Sequence, residues 1–381
     1  MVVYPAEVME VSTASAPNIF GVYPYLLKFS PFNCEKSNPL RFVFMIFSFI
    51  TFLAMVFRAG YMLFYLDVKA LTLGFAEQNL YGFISMESFC LVIALFKITK
   101  VGRLRKVEQK LAEMREMRIT SFHESHDKYW KLWIELFIFN SFNLVLFIGT
   151  AIYLLCNRVI IVGTKTKSSW YYYFDAPVMI LCAYANFLHL PIHELIHTAF
   201  AREFRVFNDE LENASKNKEL LNPQTFQRFA DRQIKMFECI NPLTERMNRL
   251  MAFAPLFILT ALTNVLYLVT NLRSATHTLY FICMVGMLIS CIIISKILLY
   301  PPALVQEAML HTSTVLMNDQ FIHHSKDPQI YSIYRTMVDR SMHNRSVNVV
   351  IRIFDVNRKN IERAYFIISN IVLVMVVFSA F

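Results

Sequence analysis

The chain has 381 residues, of which 56% are hydrophobic and only 17% charged, and it carries a net charge of +9. Most of this length is needed for membrane-crossing segments, which leaves no room for a separate soluble domain. The positive balance is not a nucleic-acid signal, because it sits in loops on one side of the membrane, where anionic lipid favours cations.

Seven apolar runs stand out, near residues 42–65, 79–96, 132–156, 174–199, 250–270, 278–304 and 364–381. A spanning helix needs about 20 apolar residues to cross a ~30 Å hydrocarbon core. Of the 37 Lys and Arg residues, thirty fall in the segments on the side of the N-terminus and five on the other. Arg58 and Lys296 lie within runs. Loops rich in Lys and Arg stay in the cytoplasm. The expected fold class is therefore an all-α membrane protein with seven transmembrane helices, a cytoplasmic N-terminus, an extracellular C-terminus and cytoplasmic helical extensions. This orientation is opposite to that of a G-protein-coupled receptor. It depends on the second run, which is short and interrupted by Glu87.

In chain order, residues 1–41 form a cytoplasmic segment. They lack the charged start and apolar core of a cleavable signal peptide, so the first run is expected to act as a signal-anchor. That run carries Arg58 in its outer half. Arg58 is expected either to reach inward and pair with Glu87 or to extend outward to the headgroups. Residues 97–131 form a basic linker in which Val101, Leu104, Val107, Leu111, Met114 and Met117 recur every three or four positions. This spacing predicts an amphipathic helix. Its apolar face covers the chain's own subunit, a membrane surface or a partner.

Glu135 lies in the third run, toward the inner interface. The outer loop 157–169 leads into Trp170, Tyr171, Tyr172, Tyr173, Phe174 and Asp175. Aromatic residues at a span end read as an interfacial belt or as the lip of an outward-facing ligand cavity. The fourth run ends in His193-Glu194-Leu195-Ile196-His197, with His189 one turn earlier. Two histidines four apart on a helix can hold zinc, with the glutamate as general base. A third protein ligand is required, and Glu203, Glu210, Glu212 and Glu307 are isolated acids without a second motif. A seven-span zinc peptidase using His193, Glu194 and His197 is one alternative reading; a non-catalytic metal or pH-sensing role is a second, and a polar stripe bonding to neighbouring helices or water is the third.

Residues 200–249 mix 9 basic with 8 acidic residues, which predicts that the fourth and fifth spans continue as helices into the cytoplasm. Asn213 to Lys218 and Asn222-Pro223 predict a turn between them. Pro301-Pro302 predicts a kink or stop at the end of the sixth span. The seven scattered cysteines offer no disulfide framework. Both N-x-S sequons, at Asn213 and Asn344, fall in inner segments and are expected to be unglycosylated. Asn140, Asn143, Asn186 and Asn264 are expected to bridge helices.

The segment Phe354-Asp355-Val356-Asn357-Arg358 precedes the last apolar run, which holds Asn370-Ile371, five apolar residues, then Val377-Phe378. An inner F-x-(V/I)-N-R segment followed by such a run resembles the invertebrate gustatory receptors. These belong with the insect odorant receptors to an inverted seven-span chemoreceptor superfamily, of which this chain looks like a divergent member. The family's last helix carries Thr-Tyr, five apolar residues, then Gln-Phe, so Phe378 alone is retained.

The resemblance implies a chemosensory receptor of the gustatory type acting as a ligand-gated cation channel in the cell membrane. It implies a homo- or hetero-tetramer, with the inner helical extensions as the main contact between subunits. Residues 42–304 would hold helices 1–6 with the linkers 97–131 and 200–249. Residues 305–363 would form a cytoplasmic segment and 364–381 the pore helix. On that helix Asn370, Val374, Val377, Phe378 and Phe381 share a face that would make an apolar constriction gated by dewetting. A small-molecule ligand is expected among the outer ends of the middle helices, near Tyr81, Tyr153, Tyr173, Asp175 and Tyr280. No cofactor, metal, enzymatic activity or nucleic-acid partner is expected. A G-protein-coupled chemoreceptor of the opposite orientation is the remaining alternative.

Overall fold

The computed structural model describes residues 19–35, 38–65, 72–100, 102–119, 129–157, 170–251, 253–271, 278–343, 349–350 and 354–379. Among these the chain is helical apart from a two-residue strand pair, β1 (Val349–Val350) with β2 (Phe354–Asp355). The short helix α1 spans Tyr23–Phe29. Seven helices are long and apolar enough to cross a bilayer: α2 (Arg41–Gly60), α3 (Leu73–Lys100), α5 (Trp130–Asn157), α6 (Trp170–Lys216), α8 (Ala254–Asn271), α9 (Thr278–Asn318) and α12 (Arg358–Ser379). The second run thus forms a helix of 28 residues, well beyond the 79–96 expected for it. α2 ends in a π-helical turn, Tyr61–Tyr65.

Small residues set how closely these helices approach. A Cβ on Gly82 would lie 2.7 Å from the Leu63 side chain, and one on Gly286 would lie 2.8 Å from Leu146. α3 therefore seats against the π turn, and α9 against α5, through positions where a side chain would collide.

Two helices outrun the membrane. α6 has 47 residues and α9 has 41, about 70 and 60 Å at 1.5 Å per residue, twice the hydrocarbon thickness or more. Their C-terminal parts protrude from the same end of the bundle. Around them pack α4 (Arg103–Glu116), α7 (Pro223–Met251), α10 (Gln320–His324) and α11 (Pro328–His343). We call this the extension end and the other the distal end. α4 buries Val107, Leu111 and Met114 against its own subunit, which decides between the alternatives left open for that linker. On α7, Phe226, Phe229, Ala230, Gln233, Phe237 and Ile240 are buried at helical spacing, while Arg228, Asp231, Lys235 and Glu238 are exposed.

Polar contacts lock this extension. Glu203 accepts from Arg115 Nε at 3.0 Å and Arg118 Nη2 at 2.6 Å. Glu210 pairs with Arg232 and accepts from the Ile119 amide. Thr312 donates to Asn208, whose Nδ2 donates to the Ala308 carbonyl at 2.7 Å. The expected turn lies at residues 217–222, four positions later than Asn213, because α6 runs on to Lys216. α7 then opens with Pro223, and the Asn222 side chain accepts from the Gln224 amide at 3.0 Å.

Of the kink or stop expected at Pro301-Pro302, the stop does not occur; α9 runs through both to Asn318. Each proline deprives one carbonyl of its helical donor, but both are buried and the helix beyond them packs on α6 and α11, which holds it in place. Just beyond, Leu299 and Ala303 pack with Val356 and Ile361. Asn357 Oδ1 accepts from the Asn360 amide at 2.8 Å and so caps α12. The F-x-(V/I)-N-R segment thus has a structural meaning: its valine docks on α9 and its asparagine starts the last helix.

Candidate functional site

Antiparallel threading brings the end of α2, the start of α3, the end of α5 and the starts of α6 and α9 together at the distal end. Arg58 is 1% exposed there, and its Nε donates to Asp175 Oδ1 at 2.6 Å. Its Nη1 donates to Ser85 Oγ at 2.6 Å and to the Tyr81 carbonyl at 3.2 Å. The guanidinium carbon also lies 5.5 Å from the Tyr81 ring centre. Tyr280 donates to Glu77, and its ring lies 5.9 Å from that of Tyr153. Phe57 meets Phe174 edge to face at 5.3 Å.

Four of the five expected ligand residues, Tyr81, Tyr153, Asp175 and Tyr280, therefore line one buried polar and aromatic cluster. Tyr173 does not join it; at 70% exposure it sits outside. The side chains of Trp170, Tyr171 and Tyr172 lie outside the described residues. Contrary to both expectations from sequence, Arg58 neither pairs with Glu87 nor extends to the headgroups: it is buried against Asp175. Asp175, arriving from α6, is the carboxylate that pairs with it, and the buried guanidinium of α2 takes its partners from two other helices, α3 and α6. Glu77 and Ser85 escaped the sequence reading. Glu77 lies one turn before Tyr81 and would have been found had the second span been extended to residue 73.

At mid-depth, Glu87 accepts from Asn186 Nδ2 and Ser88 Oγ, each at 3.1 Å. Asn143 accepts from Ser290. Asn186 and Asn143 thus bridge helices as expected. Asn140 and Asn264 instead donate to carbonyls one turn back on their own helices.

The three histidines stack along one buried face of α6, with ring centres 5.9 Å apart for His189 and His193 and 4.3 Å for His193 and His197. The His197 Nδ1 bonds to the His193 carbonyl at 2.8 Å. His193 lies near the Leu298 carbonyl, which Pro302 leaves without a helical donor, but short of hydrogen-bond geometry. Glu194 borders a different space, a cavity of about 230 Å³ shared with Glu135 and Lys296. Among the described residues no three His, Cys, Asp or Glu side chains are arranged to hold a metal. Of the four isolated acids, Glu203 and Glu210 are held by arginines and Glu212 by Lys216, while Glu307 is exposed. Among the described residues the histidines form a polar stripe that no third ligand joins, as zinc hydrolysis would need.

On α12 the expected pore residues Asn370, Val374, Val377 and Phe378 face away from the subunit, the last three exposed by 51%, 48% and 65%. Ile368 and Val372 are buried on the opposite side. Phe381 lies outside the described residues. All seven cysteines are free.

Seven membrane-length helices with a buried ion pair at one end and a helical extension at the other define a multi-pass membrane protein. The fold is that of an insect olfactory receptor. The structure of OR5 from Machilis hrabei in complex with eugenol matches with a TM-score of 0.62 and 11% identity, covering 93% of this chain and 96% of that one. A second structure of the same receptor matches with a TM-score of 0.59 and 12% identity, covering 93% and 99%. At such identities the likeness is one of fold. A family model described as Caenorhabditis protein of unknown function, DUF267, matches residues 19–372, and the chain belongs to that family. No curated protein matches the sequence.

Proposed function

We propose that this protein is a chemosensory receptor of the gustatory type, working as a ligand-gated cation channel in the cell membrane. The observation that carries the reading is the shared fold over nearly all of both chains with a receptor solved in complex with eugenol. The N-terminus is cytoplasmic and the C-terminus extracellular, a reading supported by the thirty-to-five distribution of Lys and Arg. The distal end is then the outer one. Residues 1–41 and 305–363 are cytoplasmic segments, and the linkers 97–131 and 200–249 belong to the extension.

The ligand is a small molecule received at the distal cluster by Tyr81, Tyr153, Asp175 and Tyr280, with Tyr173 at its outer lip. Rings and phenols supply apolar contact with a few polar handles, the usual make-up of a small-molecule site. Four subunits, identical or mixed, assemble around α12. Asn370, Val374, Val377, Phe378 and Phe381 line the pore, supported by the face of α12 that its own subunit leaves bare. Ligand acts by binding the open state more tightly than the closed one. The continuous α6 links Asp175 to Glu203 and Glu210, roughly 40–50 Å apart at 1.5 Å per residue.

Expression in cells with a small-molecule panel tests the reading. Ligand-evoked cation current is expected, with Tyr280→Phe shifting the half-maximal concentration. Surface protein that passes no current with any subunit partner overturns the channel. Glycosylation of Asn213, exposed near the end of α6, overturns the orientation and favours the G-protein-coupled alternative.

A further inference from the structure

Lys296 lies within the sixth span, is exposed, and forms no ion pair within 4 Å among the described residues. An ammonium at membrane depth without a close counter-ion is costly and needs a partner or a route to water. It faces a groove of about 470 Å³ between α8, α9 and α12. The α9 wall is a single i, i+4 stripe of Leu288, Ile292, Lys296 and Tyr300. Opposite stand Arg358, Tyr365 and Ile368 of α12, with Leu262 and Leu266 of α8 on the third side. The groove therefore has a polarity. Its distal part is aliphatic; its extension part carries two cations and two phenols. From Leu288 to Tyr300 the stripe runs about 18 Å at 1.5 Å per residue, the scale of one leaflet of a ~30 Å core with its interface.

We propose that this groove binds an acidic glycerophospholipid of the leaflet on the extension side. Its phosphate lies between Lys296 and Arg358, and one acyl chain runs along Leu288, Ile292 and Ile368. Charge favours the acidic class. Lys296, Arg358, Lys359 and Arg363 gather at this end of α12, which is also the positive end of the helix. The groove's own acid is Glu362, which already pairs with Arg358 at 3.3 Å. Glu194 and Glu135 lie in the separate cavity on the other side of Lys296. The site is independent of the ligand cluster, since its residues come from the opposite end of the bundle. The cytoplasmic leaflet is the one rich in acidic lipid, in keeping with the orientation proposed above.

The full-length protein in phosphatidylcholine nanodiscs, doped with phosphatidylserine bearing a photoreactive acyl chain, provides the test. Cross-links are expected on peptides holding Ile292 and Ile368, outcompeted by plain phosphatidylserine and not by phosphatidylcholine. Lys296→Gln and Arg358→Gln are each expected to lower that labelling about fivefold, from the roughly 1 kcal/mol that each cation contributes to acidic-lipid attraction. Lys296→Arg is expected to keep it, as is Lys216→Gln on the exposed extension. If Lys296→Gln does not fold, Arg358→Gln and Lys296→Arg decide. Equal competition by phosphatidylcholine, labelling indifferent to both cations, or cross-links from a neighbouring subunit's helix in the groove would each overturn the proposal.

Discussion

α3 and α12 are both long and apolar enough to cross a bilayer, yet 67% of the spanning stretch of α3 is buried within the subunit against 17% of that of α12. α3 carries Glu77, Ser85, Glu87 and Ser88, each bonded to another helix or to a neighbour on its own. α12 reaches another helix at membrane depth through Tyr365 and Ser295 at 2.7 Å; Ser369 and Asn370 bond only to carbonyls of α12 itself, and Phe366, Ile367, Leu373 and Phe378 face outward. The position of α3 is specified from inside the fold by directional bonds in a medium with no water to compete. The position of α12 is specified at its base, by the Val356 contact and the Asn357 cap. What its outer face meets lies beyond the subunit.

The sharpest way to break this contrast is at Arg58. Asp175→Asn leaves a buried guanidinium without its counter-charge, and breaking a buried pair by removing one partner costs about 3–5 kcal/mol. Asp175→Asn and Arg58→Gln are expected to abolish folded surface protein, read by size-exclusion of a fluorescent fusion. Arg58→Met with Asp175→Leu together is expected to recover part of the loss, since an apolar pair leaves no orphaned charge. If either single variant elutes like the wild type, the pair is not what holds the distal end.

At Glu87 the expected effects are smaller. Glu87→Gln retains an acceptor for Asn186 and Ser88 and is expected to change thermal stability little. Glu87→Leu removes that acceptor from buried donors, at about 1–3 kcal/mol. A Gln variant as damaging as the Leu variant would mean that the charge itself matters, and α3 would then be more than a bonded scaffold.

Much of this was legible beforehand. Hydropathy gave the count and order of the spans, because the bilayer demands length and apolarity and little else. The distal cluster was partly legible too, because Tyr81, Tyr153, Asp175 and Tyr280 sit near span ends that threading must bring together. What escaped was pairing. A sequence shows that Arg58 needs a carboxylate, but Glu87, Glu77 and Asp175 all lie on neighbouring helices, and rotation about each helix axis decides among them. A stop at Pro301-Pro302 did not occur for a related reason: the local cost of proline is real, but packing of the rest of α9 on α6 and α11 outweighs it. The His-Glu-x-x-His motif had the right spacing, but among the described residues it meets no third ligand from another element, which spacing cannot supply.

At the base of α12, Asn357→Ala removes the cap and is expected to cost about 1 kcal/mol. The loss should be local. Amide exchange in the first turn of α12 is expected to quicken severalfold while α3 and α9 are unchanged. Slowed or unaltered exchange there would mean that Val356 and Ile361 alone set the helix start.

The smallest effect on stability, and the most telling, is expected at Val377. It is 48% exposed, and a surface substitution away from such features stays within about 0.5 kcal/mol. Val377→Gln is therefore expected to leave the subunit's thermal stability unchanged. If the outer face of α12 meets lipid, the amide would be drawn from the membrane, and its cost would appear as altered insertion with no change in any current. If that face lines a pore, the same amide hydrates an apolar constriction, and the channel is expected to leak current without ligand. Wild-type stability together with a ligand-independent leak would show that α12 is bare because its partners are its own copies. Unaltered current at normal surface level would leave α12 as one more lipid-facing helix and remove the pore from this face.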